Sequence, residues 1–208
     1  MMTALFTKED FDVFSIDGLE ERMEVLRSRL SPKLEMLAAE LAPYAEQVTD
    51  HDMYVHVAKH ARRTKNPPKD TWSALASSKR GYKKLPHFQI GLWGTHVFVQ
   101  FALIYESPLK ETAGRKMTEA KEQILDSIPS HYVWSMDHMK PDASPISEEL
   151  FDKIADRLQH VKKAELVCGV HLQPEDPALA SKEAFLKVCK DVLKHTAILY
   201  EQAAFEPV

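Results

Sequence analysis

"PHFQIGLWGTHVFVQFALIYE", residues 86–106, alternates apolar and mixed positions on either side of Gly94. Val97, Val99, Phe101 and Leu103 recur at every second residue, the period of a β-strand, and point to a core. The opposite side presents His87, Gln89, His96, Phe98 and Gln100. With Gly94 near the reversal, the stretch predicts a β-hairpin. An antiparallel sheet can keep helices on one face and leave the other open. The mixed side therefore either lines a cleft or is a half-buried sheet surface satisfied by water and its neighbours.

Upstream, "MYVHVAKH" (53–60) sets Val55 and Val57 against Tyr54, His56, Ala58 and His60, again as a strand would. "RTKNPPKD" (63–70) is a loop, because two prolines cannot continue a central strand. "TWSALAS" (71–77) fits either a strand or a short helix, and "SSKRGY" (77–82) reads as a turn. Nearer the N-terminus, Leu19, Met23, Leu26 and Leu30 form one helical stripe opened by Asp17-Gly18. Ser31-Pro32 is expected to cap and restart a second helix carrying Leu34, Leu37, Leu41 and Tyr44. Pro43 should end or kink it.

Downstream, residues 113–128 predict a helix with Met117, Ala120, Ile124 and Ile128 on one face. "YVWSM" (132–136) is a strand, followed by the loop "MKPDASP" (139–145). Ser147 caps a helix through Val161, with Glu148 and Glu149 in its first turn. "ELVCGVHLQ" (165–173) is another strand, and a last helix from Ser181 buries Phe185, Val188, Val192 and Leu199. The sum is an α+β fold, with four or five helices packed on one face of a mainly antiparallel sheet of about five to seven strands. No repeat or break in composition divides the chain, so residues 1–208 are expected to form a single domain.

Composition sets the bounds. The chain has 208 residues, 44% hydrophobic and 28% charged, ordinary for a globular protein. Cys168 and Cys189 have no C-x-x-C spacing and sit in apolar stretches, as buried reduced thiols do. The N-terminal stretch lacks the basic region of a secretory signal. The longest apolar run, "HVFVQFALIY", is half of the roughly 20 residues a spanning helix needs. A cytoplasmic protein with no membrane partner is expected. The net charge of −4 hides an asymmetry: Met53 to Tyr105 holds nine basic residues and one acidic residue, Asp70, while the remainder holds 18 basic and 30 acidic.

That basic segment is the main functional lead. Arg62, Arg63 and Lys65 leave the proposed strand, and Lys79, Arg80, Lys83 and Lys84 surround Gly81. If strand and turn are neighbours, seven cations converge. Arg offers a planar fork for phosphate or carboxylate oxygens and Lys a mobile point charge. His56, His60 and His87 add directional donors, while Trp72 and Tyr82 offer stacking surfaces. The competing reading is a solvated face paired with the chain's own acidic helices. No RNP, C2H2 or P-loop pattern marks a specific nucleic-acid module, and "GLWG" (91–94) sits between strands rather than between helices as a KH loop does. His56 and His60 on one strand would lie about 13 Å apart, too far for one metal. Asp137-His138 could join an acid/base or metal site, but neighbours on a strand point to opposite faces. Neither a G-x-S-x-G nor a G-x-G-x-x-G is present, so no metal site and no cofactor are expected.

"FTKEDFDVFSIDGLEERM" (6–23) and "HVAKHARRTKNPPKDTWSALASSKRGYKKLPHFQIG" (56–91) resemble the YktB-like family of uncharacterised bacterial proteins. The resemblance extends over almost the whole chain. It implies an α+β architecture akin to the TATA-binding-protein-like fold, with a curved antiparallel sheet. It implies no activity, so it assigns no catalytic residues. The residues themselves predict a binding module for a nucleotide, nucleic acid or other phosphate-bearing ligand. The alternatives are an enzyme acting on a phosphorylated or carboxylated small molecule through a His, and a protein-interaction module.

Overall fold

A computed structural model describes residues 4–204. The first three residues of the N-terminal stretch read above lie outside them. Seven strands form one sheet in which every pairing is antiparallel: β1 (Tyr54–Val57), β2 (Asp70–Ala76), β3 (His87–Trp93), β4 (Val97–Leu103), β5 (Val133–Ser135), β6 (Ser144–Pro145) and β7 (Leu166–Leu172). The spatial order is β1-β2-β3-β4-β7-β5-β6, so strands from both halves of the chain meet between β4 and β7. The helices are α1 (Lys8–Asp12), α2 (Leu19–Val25), α3 (Ser31–Thr49), α4 (Lys110–Glu119), α5 (Lys121–Ser127), α6 (Glu148–His160) and α7 (Lys182–Ala203).

One face of the sheet supplies Leu75, Phe88, Val99, Phe101, Cys168 and Trp134 to a core shared with Leu34 and Leu37 of α3 and Phe185 and Val192 of α7. Full burial of such side chains stabilises the fold by about 1.5–3 kcal/mol each. The hairpin is as the alternation predicts, with Trp93 N–H donating to His96 O at its reversal. "TWSALAS" resolves as a strand. All seven residues of β2 are buried, and both of its sides mix polar with apolar residues, so no apolar/polar alternation could distinguish the two readings.

Three predicted helices differ. Ser31 has helical dihedrals and caps nothing; the chain stays helical from α2 into α3 through a π turn at Leu26–Leu30, where Ser31 N–H donates to Leu26 O. In a regular helix the ring of Pro32 would meet the carbonyl of Ser28, and the wider turn relieves that conflict. Farther along, α3 runs through Pro43 to Thr49 rather than ending there. The predicted helix over 113–128 is two, α4 and α5, parted at Ala120 (φ −95°, ψ 15°). Ser147 caps α6 as predicted, accepting from Leu150 N–H, and Ser181, where the last helix is expected to begin, caps α7 by accepting from Ala184 N–H.

The sheet's other face is not the wet surface considered above, since every residue of β3 and β4 is buried. Three polar side chains there satisfy one another, while the buried Nε2 of His96 has no partner among the described residues. Gln100 Nε2 donates to Gln89 Oε1 (2.8 Å), Gln89 Nε2 meets His87 Nε2 (3.0 Å), and His87 Nδ1 meets Leu85 O (2.8 Å). Two glycines allow bulky side chains to lie flat across this face. A Cβ at Gly91 would fall 2.4 Å from the Phe98 ring, and one at Gly169 would fall 2.8 Å from Gln100 Cβ. At one edge of the sheet β1 is partly exposed, and at the other β6 is exposed.

Candidate functional site

β1 ends at Val57, although Ala58 N–H still donates to Trp72 O (2.9 Å). His60 then takes a left-handed conformation (φ 48°) and turns the chain away from the sheet edge. Its Nε2 lies 3.1 Å from Thr71 Oγ1 and its ring sits edge-on to Trp72. The Pro-rich loop that follows is tied down by Arg22, a buried side chain that donates to Pro68 O (2.8 Å) and Ile16 O (2.8 Å). Beyond β2, Gly81 (φ 70°) makes the tight turn that a non-glycine would resist, and a 3-10 turn carries Tyr82–Lys84.

Tyr82 gathers this end of the sheet. Its hydroxyl accepts from Trp72 Nε1 (2.9 Å), its ring stacks on His56 at 4.8 Å, and His87 meets it edge-on at 5.1 Å. His56 also spends Nε2 on Ser78 O (2.8 Å). His87 is fully buried, with Nδ1 on Leu85 O and Nε2 facing the Gln89 amide, which fixes a neutral ring. Burial lowers the pKa of His87 to about 4. That of His60 also falls to about 4, through burial and then the charges of Arg63 and Lys83.

Arg62, Arg63 and Lys83 line one cavity of about 440 Å³ together with His60, Trp72 and Tyr82. Lys83 Nζ stands 5.7 Å from the centroid of the Trp72 ring and 3.9 Å from Glu106 Oε1, a carboxylate on the same wall. The strand end and the turn are therefore neighbours, but the seven cations do not converge. Lys65, Arg80 and Lys84 are exposed and border none of the cavities described here, and Lys79 covers the Tyr54 ring at 5.3 Å. Like charges on long hydrated side chains separate unless a ligand holds them.

A second cavity, about 790 Å³, adjoins the first through Arg63 and Met139. Asp70 lines it with Phe14, Arg22 and Trp93. The Asp70 residue is only 3% exposed, and burial raises its pKa to about 6 despite the nearby charges of Arg63, His138 and Lys83. A third cavity, about 560 Å³, shares Met139 and is lined by Asp137, Arg157 and Glu165. Met139 is 52% exposed, an apolar side chain at the junction of all three.

Asp137 and His138 fall in a turn after β5, so the strand rule that separated their side chains does not apply. They meet Glu165 at the start of β7, and one donor atom from each of the three lies within 4.8 Å of the others. Those atoms could hold a divalent ion, but Glu165 is already committed: it accepts from Tyr105 N–H (3.2 Å), His138 N–H (2.8 Å) and the His138 imidazole at Nδ1 (2.8 Å). The arrangement is a carboxylate-oriented imidazole, whose Nε2 makes no hydrogen bond among the described residues. Glu165 lies 27 residues from His138, and no local pattern announces the pairing. Both thiols are buried, which pushes their pKa values up, as expected of structural cysteines.

Residues 6–200 match the family model described as "Domain of unknown function (DUF1054)". A UPF0637 protein of Bacillus velezensis is 53% identical over 198 residues, covering 94% of this chain and 94% of the relative. UPF0637 proteins of Bacillus licheniformis and Bacillus mycoides are 50% and 46% identical over 203 residues, covering 96% of this chain and 96% and 98% of theirs. The chain therefore belongs to the DUF1054/UPF0637 family, an uncharacterised bacterial family consistent with the YktB-like resemblance of its sequence.

Proposed function

We propose that this protein is a single-domain, cytoplasmic binding module for a small anionic ligand, seated in the cavity of Arg62, Arg63 and Lys83. One observation carries the reading: cations from two segments twenty residues apart line one cavity that the rings of Trp72 and Tyr82 also wall. Arg63 and Lys83 supply charge, His60 an uncharged imidazole, and Trp72 and Tyr82 flat apolar surfaces for a planar group. A small phosphate-bearing molecule suits this better than nucleic acid, because Lys65, Arg80 and Lys84 stand apart rather than forming a track for a backbone. Titration calorimetry with ribose 5-phosphate and AMP at low salt tests it. Binding is expected to weaken about tenfold or more in Arg63→Ala and Lys83→Ala; equal affinity in both variants, or no binding in the parent protein, rules the reading out.

A second reading, acid–base chemistry beside the cavity lined by Asp137 and Glu165, is favoured by the carboxylate-held imidazole of His138. Should a screen yield turnover, His138→Asn is expected to lower kcat by about a hundredfold or more with KM little changed. Retained kcat would remove this role from His138.

A further inference from the structure

We infer that Asp70 gives the cleft a second subsite built on a buried carboxylate, and that the ligand is an anion carrying a planar N–H donor edge, as a guanine nucleotide does. The inference rests on the anion reading above. Its starting point is a contrast among the buried carboxylates. Asp10, 0% exposed, takes hydrogen bonds from Arg29, Lys33 and Thr7 N–H. Glu165, 4% exposed, takes bonds from Tyr105 N–H, His138 N–H and the His138 ring. Asp70, 3% exposed, has no hydrogen bond from another described residue and lines a cavity instead. A buried carboxylate with no donor beyond its own backbone N–H is costly, and such groups are satisfied by a partner when one is available.

The surroundings specify that partner. Trp93, the cross-strand neighbour of Asp70, and Phe14 wall the cavity with aromatic surface. At neutral pH a carboxyl with a pKa of about 6 is mainly ionised, and so only accepts hydrogen bonds. Two adjacent N–H groups on one edge of a flat ring match its two oxygens, and the ring's faces match the aromatic walls. Guanine presents that edge. Adenine places a ring acceptor there instead, which an ionised carboxylate repels. Arg63 borders both cavities, so one nucleotide-sized ligand can set its phosphate against Arg62, Arg63 and Lys83 and its base against Asp70.

Calorimetric titration of the parent protein and Asp70→Asn with GMP, IMP, AMP and ribose 5-phosphate tests the inference. GMP is expected to bind about tenfold or more tighter than AMP, with IMP, which lacks one of the two donors, between them. Asp70→Asn should bring GMP to the level of AMP and leave ribose 5-phosphate unchanged. Equal affinities for GMP and AMP in the parent protein, or a preference that survives in Asp70→Asn, would overturn it. If ribose 5-phosphate binds and no base is preferred, the anion reading stands and this inference fails; if nothing binds, both fail. The ligand series on the parent protein decides the matter even should the variant not fold.

Discussion

Burial of ionisable side chains without a compensating charge leaves a signature in the pH dependence of stability. His60, His87, His96 and His171 each have a pKa lowered to about 4, burial being the first cause in every case. In the unfolded chain they titrate near 6.5, so their contribution is complete above that pH and is lost as pH falls through about 4. For fully buried His87 the loss at pH 5 is about 2 kcal/mol. Asp70 acts the other way: its carboxyl is raised to about 6, so its contribution is complete below about pH 4 and is lost as pH rises through 6. Four imidazoles outweigh one carboxyl, and urea denaturation should therefore show stability falling between pH 7 and pH 5. A flat or rising profile would mean the histidines are solvated. Little of this could be read from the sequence. His87 was a candidate ligand donor because nothing local reveals that Leu85 and Gln89 occupy both its nitrogens. Asp70 did carry a signal, as the lone acid among nine cations, but its burial depends on a sheet edge and a loop that only the fold brings together.

The strands and helices were legible where one face is apolar and the other is not. The hairpin, β7, α6 and α7 all carry that pattern, and the serine caps of the two helices fix where they start. β2 carries none because Thr71 and Ser73 share one side with Leu75 while Asp70 shares the other with Trp72 and Ala74, so neither side is uniformly apolar. The break at Ala120 is marked by neither glycine nor proline, and the π turn before Pro32 answers a steric conflict that a cap rule resolves differently. Two substitutions test the packing of the sheet. Phe101→Ala, on the helix-covered face, is expected to cost about 3–5 kcal/mol. Gly169→Ala puts a Cβ 2.0 Å from Val99 O, where backbone must move, so a comparable loss is expected in the same denaturation assay. Near-parent stability in Gly169→Ala would show that β4 and β7 are not registered as described.

Across the whole molecule, the charge asymmetry of the sequence does not become one basic face. The segment divides between a loop and a turn, and of its nine cations Lys59, Arg62, Arg63 and Lys83 share one cavity. Charge counting located the region, and contacts far apart in sequence selected the residues within it. Met139 and Glu106 come to this site from distant segments and carry no local mark of it. Among the described residues, no helix is long and apolar enough to cross a membrane. The central claim is that an anion occupies the cavity between the loop and the turn, and backbone amide NMR during titration with ribose 5-phosphate tests it most directly. The account expects saturable shifts confined to residues around His60–Arg63 and Tyr82–Lys83. Shifts centred on Lys65, Arg80 and Lys84, or none at all at millimolar ligand, would contradict it.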